Sequence, residues 1–255
     1  MSLKHLLLAG GCACLLAPVP ALAQDYGHDW TGFYIGGNLG ASWGDTNLGT
    51  RVERGNGAVF IPPTDISIIN APFSQDDNDT GFTGGVQAGY NFQSGNIVFG
   101  IETDGGWMDI GQSRSNTYSL TPILTTAVNA TVSQEVKTEW VWTVRPRIGY
   151  ASGPWMIYGT AGLAMSRVKV DASFVDTRVP PNSANFSDAD TKTGWTGGIG
   201  GAYAFSDNIS VRGEWLYVDL GDVRASWVTP NGYAAFTTEA DTRANLLRIG
   251  VDYKF

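Results

Sequence analysis

The sequence predicts an all-β fold, an eight-stranded antiparallel up-and-down transmembrane β-barrel. Three observations carry this. The chain ends in a strictly alternating segment, with Leu247, Ile249, Val251, Tyr253 and Phe255 apolar at every second position. Period two marks a strand with one apolar face. Seven further segments alternate in the same way, and the connections between them are short and long in turn. Finally, the chain starts with an export signal: Lys4 and His5, an apolar run from Leu6 to Leu16, and Ala21-Leu22-Ala23 before Gln24. This is the n-region, h-region and A-x-A site of a secretory leader, so residues 1–23 read as a signal peptide and 24–255 as the barrel. A lipoprotein signal ending at Cys12 is the weaker rival, because Ala9 stands where a large aliphatic residue belongs.

The first segment, about 30–43, sets Phe33, Ile35, Leu39, Ala41 and Trp43 against Tyr34, Asn38 and Ser42. The second, 80–92, sets Phe82, Val86, Ala88, Tyr90 and Phe92 against Thr83, Gln87 and Asn91. The third, 97–107, alternates Phe99, Ile101 and Trp107 with Glu102 and Asp104. In the fourth, about 138–150, Trp140, Trp142, Val144, Ile148 and Tyr150 oppose Thr143, Arg145 and Arg147. The fifth, 155–165, shows Trp155, Ile157, Ala161, Leu163 and Met165 against Tyr158, Thr160 and Ala164; the sixth, 193–205, shows Trp195, Ile199, Tyr203 and Phe205. The seventh, 209–217, sets Val211, Trp215 and Tyr217 against Ser210, Arg212 and Glu214, and the eighth is the terminal segment. Each is near or above the ~9–11 residues a tilted strand needs to cross a bilayer.

Gln93-Ser94-Gly95-Asn96, Ser152-Gly153-Pro154 and Ser206-Asp207-Asn208 are turn sequences. Between them, about 44–79, 108–137, 167–192 and 218–243 read as long polar loops. Outer-membrane barrels put the short turns in the periplasm and the long loops outside the cell. A partial repeat, Thr80-Gly81-Phe82-Thr83-Gly84-Gly85-Val86 and Thr193-Gly194-Trp195-Thr196-Gly197-Gly198-Ile199, reads as two strands meeting one local demand.

Alternation alone does not orient the apolar face, and a soluble lipocalin-like barrel has the same period with the opposite sense. Aromatics near the strand ends, a polar face of small uncharged residues and the terminal aromatic favour lipid outside. The charged residues then form a lumen network: Glu102, Asp104, Arg145, Arg147, Arg212, Glu214 and Arg248. Counted from the turns, Glu102 and Asp104 fall about level with Arg147 and Arg145, and Glu214 with Arg248. Opposite charges on neighbouring strands pair favourably, and a low-dielectric interior demands neutrality. Pro146, on the apolar face in mid-strand, lacks an N–H for the ladder, and a local bulge is expected there.

Composition excludes other classes. Cys12 and Cys14 both lie in the leader, so no disulfide or thiol chemistry is expected of the mature chain. Removal of the leader, which holds Lys4, takes the formal charge from −8 to −9, unlike a nucleic-acid binder. Asp76-Asp77-Asn78-Asp79 lacks the glycine and distal glutamate of a calcium loop. No metal and no cofactor are expected. His28, the one histidine beyond the leader, precedes the first strand and reads as a solvated terminal residue. No histidine stands beside a serine on the loop side, so catalytic residues are not expected; a lipid-modifying enzyme remains the alternative.

Through Trp30-Thr31-Gly32-Phe33-Tyr34-Ile35-Gly36-Gly37, Arg145-Pro146-Arg147-Ile148-Gly149-Tyr150 and the Leu247–Phe255 ending, the chain resembles the small porin-family barrels of alphaproteobacterial outer membranes, the 25/31-kilodalton immunogenic group. It is more distantly similar to the OmpA transmembrane barrel. Pro146 departs from the family, which often has a small residue between the two arginines. The resemblance implies an outer-membrane protein whose partners are membrane lipid and the barrel-assembly machinery, the latter reading Tyr253 and Phe255 as its signal. The expected role is structural and surface-interacting, with a narrow pore as a further option.

Deleting Phe255 should slow or abolish membrane insertion in cells, while the truncated chain still folds in detergent micelles. Insertion is read by outer-membrane fractionation and folding by the migration of unboiled samples in gels. Normal insertion of the truncated chain in cells would remove the signalling role.

Overall fold

The computed structural model describes residues 28–54, 79–120, 128–177, 181, 183–228 and 234–255. The leader, its cleavage site and residues 76–78 of the acidic run lie outside the described residues. Eight strands form: β1 (Gly32–Arg54), β2 (Asp79–Ser94), β3 (Ile97–Leu120), β4 (Val128–Ser152), β5 (Trp155–Asp176), β6 (Ser183–Ala204), β7 (Ile209–Val228) and β8 (Ala234–Lys254). They pair antiparallel in chain order, and β1 closes on β8 from Tyr34↔Lys254 to Arg54↔Ala234. Closure matters because a sheet edge inside lipid leaves backbone groups without partners.

Two of the turns are built for the strand twist. Gly95 (φ +62°) and Gly153 (φ +57°) occupy the first central position of two-residue connections, Ser94↔Ile97 and Ser152↔Trp155. Positive φ at that position alone defines the type II′ hairpin turn, where glycine is favoured.

The apolar phase faces outward. Phe33 is 64% exposed and Ile157 66%, while Arg145 on the opposite phase is fully buried. A soluble lipocalin-like barrel would show the reverse, and that reading falls. Trp43, Trp107, Trp140, Trp142 and Trp195 ring the upper edge of the apolar band; Phe92, Tyr150, Trp155, Phe205, Tyr253 and Phe255 ring the turn edge. Rings there touch edge to face, Trp155–Tyr203 at 4.6 Å and Tyr253–Phe255 at 5.2 Å between centroids.

Three of the segments read as loops are mostly strand. Residues 108–120 and 128–137 extend β3 and β4, 167–176 and 183–192 extend β5 and β6, and 218–228 and 234–243 extend β7 and β8. Period two continues there in polar form. Val132, Val136, Val170 and Phe174 are buried, alternating with Ser133, Glu135, Lys169, Asp171 and Ser173. Above the lipid the outer residues no longer need to be apolar, so the amphipathic signal fades while the ladder persists.

Among the described residues, this upper wall is split. The β2–β3 ladder stops at Thr83↔Met108 and the β6–β7 ladder at Trp195↔Asp219. Above those points β3–β6 form one sheet and β7, β8 and β1 another. Register shifts mark the fork, between Trp107 and Ile110 on β3, Thr138 and Val141 on β4, and Asp219 and Asp222 on β7. The β7 shift holds Gly221 at φ +71°, its N–H donating to Asp219 Oδ1 at 2.9 Å. Bulges of this kind bend a strand at a barrel rim.

Pro146 corrects the expected bulge. Val144↔Leu163 and Arg147↔Thr160 keep one register across it, and only Arg145 and Pro146 drop out of the β4–β5 ladder. The Thr160 hydroxyl donates to the Pro146 carbonyl at 2.9 Å, replacing one ladder contact. The missing N–H is absorbed by a gap rather than an extra residue.

His28 also differs from expectation: it is buried. The segment before β1 folds across the turn-side mouth, where Trp30 packs with Val98, Ala151, Met156, Tyr158, Ala202 and Ala204. Trp30 N–H donates to Gln93 Oε1 at 2.8 Å, Lys254 Nζ donates to the Asp29 carbonyl, and the His28 ring meets Trp30 edge-on at 4.7 Å. Burial, with Lys254 adding, lowers the imidazole pKa below its ordinary value. The bulk of Trp30 pulls its neighbours under the barrel, which single-residue polarity does not reveal.

Trp30→Ala should speed amide exchange at Trp30 and Thr31 while leaving the β1 amides from Gly36 to Leu39 protected. Equal acceleration along β1 would mean that lid and wall unfold as one unit.

Candidate functional site

The lumen of an eight-stranded barrel is just wide enough to be filled by side chains. Here the filling comes in three layers. Read upward from the turns, the inward phase of β7 runs Arg212, Glu214, Leu216, Val218, and that of β4 runs Ala151, Arg147, Arg145, Thr143, Val141. The strands thus stack an apolar lid, a charged middle and an apolar upper layer made by Met108, Val141, Ala164, Val168, Leu216, Val218 and Leu246.

Arg145 is the hub of the middle layer. Its Nη2 lies 2.8 Å from Glu102 Oε1 and 2.6 Å from Asp104 Oδ2, and its Nη1 lies 3.2 Å from Glu214 Oε1. Arg248 joins Asp104 Oδ1 at 3.0 Å to Glu214 Oε1 at 2.7 Å. Arg212 pairs with Glu102 Oε2 and reaches Asp252 Oδ2 at 3.6 Å. Arg147 donates to Asn91 Oδ1 at 2.8 and 3.0 Å and lies 3.4 Å from Glu102 Oε2. Its guanidinium is held between the rings of Tyr34 and Tyr158, 4.7 and 5.1 Å from their centroids.

All seven residues singled out from sequence therefore meet in one cluster. The depths are one step different: Glu102 stands opposite Arg145 and Asp104 opposite Thr143, while Glu214 is opposite Arg248. Sequence reasoning missed Asp252 as the fourth carboxylate, although its parity with Arg248 on the closing strand places it inward. It also missed the two tyrosines as donors, Tyr34 to Glu102 at 2.7 Å and Tyr158 to Glu214 at 3.0 Å. Both rings need glycine opposite them. A Cβ at Gly89 would strike Tyr34 and one at Gly200 would strike Tyr158.

At this level four arginines face four carboxylates, among the described residues, and the layer is neutral. Thr143 adds a donor to Asp104 Oδ2 at 2.5 Å and Gln87 one to Asp252 Oδ1 at 2.8 Å, so each carboxylate oxygen has a partner. Among the described residues, four buried side-chain atoms have no hydrogen-bond partner: Arg145 Nε and Arg248 Nε in this layer, and Trp30 Nε1 and Ser42 Oγ outside it. Such a layer holds every one of its carboxylates against a guanidinium, and through Tyr34, Gln87, Asn91 and Tyr158 as well it ties seven of the eight strands together. The lid leaves a cavity of about 20 Å³ bounded by His28, Trp30, Arg147 and Arg212, room for about one water.

Residues 9–255 match the outer membrane protein beta-barrel domain family. The chain is 35% identical over 256 residues to the 31 kDa outer-membrane immunogenic protein of Brucella melitensis biotype 1, covering 94% of this chain and 88% of that one. It is 32% identical over 190 residues to the 22 kDa outer membrane protein of Rhizobium leguminosarum bv. viciae, covering 74% and 64%. The crystal structure of OprG from Pseudomonas aeruginosa aligns at TM-score 0.49 and 14% identity, over 91% of this chain and 100% of that one.

Arg145→Ala should destabilise the folded barrel by about 3–5 kcal/mol, as for breaking a buried pair. Adding Glu102→Gln should recover part of the loss in urea unfolding from lipid vesicles. Strictly additive effects would mean that the two side chains do not share an interaction.

Proposed function

The chain belongs to the outer membrane protein β-barrel family, and from that premise we propose that it acts as a sealed structural barrel, working through the two sheets it raises outside the cell and neither conducting solute nor catalysing a reaction. One observation carries this reading: the neutral charged layer lies between two apolar layers, with Leu216 and Leu246 fully buried above it and Trp30 below. An ion crossing the lumen would have to break the arginine–carboxylate pairs and shed its water between apolar walls. Both costs are large in a low dielectric.

The narrow-pore option is the weaker one on this ground. The lipid-modifying-enzyme alternative loses support because His28 sits under the turn-side lid, away from the lumen's upper end, and its ring packs on Trp30. The relatives are named as outer-membrane immunogenic proteins; surface recognition comes to this chain through that likeness and through the tall β3–β6 sheet. Barrel-assembly machinery reading Tyr253 and Phe255 remains part of the same proposal.

Purified barrel in planar bilayers should give no single-channel steps. Discrete, voltage-independent conductance from the unmodified protein would overturn the sealed reading. Replacing Leu216 and Leu246 by Gly should leave it closed, because the charged layer still blocks the way.

A further inference from the structure

The outer face of the β4–β5 wall changes chemistry in steps above the tryptophan ring. Trp142 and Trp140 are exposed at the ring itself. Just above, at the β4 bulge, Arg167 Nε lies 3.7 Å from Glu139 Oε2. One outward position higher, the register sets Lys137 directly opposite Lys169. Higher again, Glu135 stands opposite Asp171, and then Ser133 opposite Ser173.

Like charges directly opposite on neighbouring strands are destabilising, and here two such pairs follow one another. Each lysine leans along its own strand, Lys137 Nζ 2.6 Å from Glu135 and Lys169 Nζ 2.9 Å from Asp171. The lysine side chains are 55% and 38% exposed, and ion pairs in such surroundings are weak and readily exchanged. Height supplies the second argument. Lys137 lies three residues above Trp140, about 10 Å along the strand and about 7 Å along a barrel axis tilted by roughly 45°. The headgroup layer outside the hydrocarbon core is about 5–7 Å thick. Lys137, Lys169 and the Arg167–Glu139 pair therefore stand at headgroup depth, with the two lysines as the net positive charge there, and Glu135 and Asp171 stand beyond it.

We propose that Lys137 and Lys169, with Arg167 beneath them, form a docking site for the phosphate of an anionic lipid in the leaflet that faces out of the cell. Phosphate oxygens accept from both ammonium groups and relieve their mutual repulsion, and Trp140 and Trp142 bound the upper part of the lipid's chains. Glu135 and Asp171 repel a phosphate that rises further, which fixes its height. The site does not depend on whether the lumen is sealed.

The test is lipid retention by the intact detergent-extracted protein in native mass spectrometry, with lipid A and dephosphorylated lipid A as probes. The unmodified protein should keep the phosphorylated form preferentially. K137Q/K169Q should lower that preference by about 25-fold, roughly fivefold for each lysine near the headgroups. K192Q, on β6, should leave it unchanged. Gel migration of unboiled samples checks that each variant is folded. An undiminished preference in folded K137Q/K169Q would overturn the site. Displacement of the lipid by inorganic phosphate at equal concentration would overturn the lipid as its occupant.

Discussion

Hydrocarbon outside and a lumen too narrow for bulk water inside leave the charged residues of this chain one arrangement, which is to neutralise one another. The rest of the structure follows from that. Arg145 satisfies three carboxylates because two strands, β3 and β7, bring Glu102, Asp104 and Glu214 within reach of its guanidinium. The faces of Tyr34 and Tyr158 hold Arg147 because a ring's π face attracts a guanidinium. Glycine occupies β2 and β6 opposite those rings because any Cβ would collide with them. Replacing one arginine by a neutral residue would leave the buried layer with one uncompensated negative charge, so the layer resists piecemeal change.

Much of this was legible in the chain. Period-two alternation fixes which side of each transmembrane strand meets lipid, because a one-residue slip would reverse every side chain. Glu102, Asp104, Arg145, Arg147, Arg212, Glu214 and Arg248 stand out as charges on otherwise small, uncharged faces. Their exact partners were not legible, since barrel stagger moves each strand by whole two-residue steps relative to the next, and sequence counts only from the turns. The extended upper strands were hidden for a different reason. Once both faces are polar or mixed, as in Ser113 to Ser119 against Asn129 to Glu135, alternation loses contrast although hydroxyl pairs such as Thr117–Thr131 at 2.8 Å still hold the ladder.

Where the wall leaves the membrane, three bulges and a left-handed glycine mark the level at which the described residues pass from one closed cylinder to two sheets. Below the fork the hydrogen-bond ladder must be continuous because lipid offers no partners. Above it water can satisfy an open edge, and the chain is free to diverge. The tryptophans sit at that change of rule, Trp107 and Trp140 beside their strands' irregularities and Trp195 at the last β6–β7 pair.

The lumen charges are also divided evenly along the chain. Glu102, Asp104, Arg145 and Arg147 belong to β3 and β4; Arg212, Glu214, Arg248 and Asp252 belong to β7 and β8; β1, β2, β5 and β6 bring none to this level. Each half carries a tyrosine over a glycine, donating to a glutamate that stands opposite an arginine: Tyr34, Gly89, Glu102 and Arg145, then Tyr158, Gly200, Glu214 and Arg248. Electroneutrality is thus local to a strand pair before it is a property of the barrel. A wall built up in these strand pairs would carry no net lumen charge at this level into the bilayer.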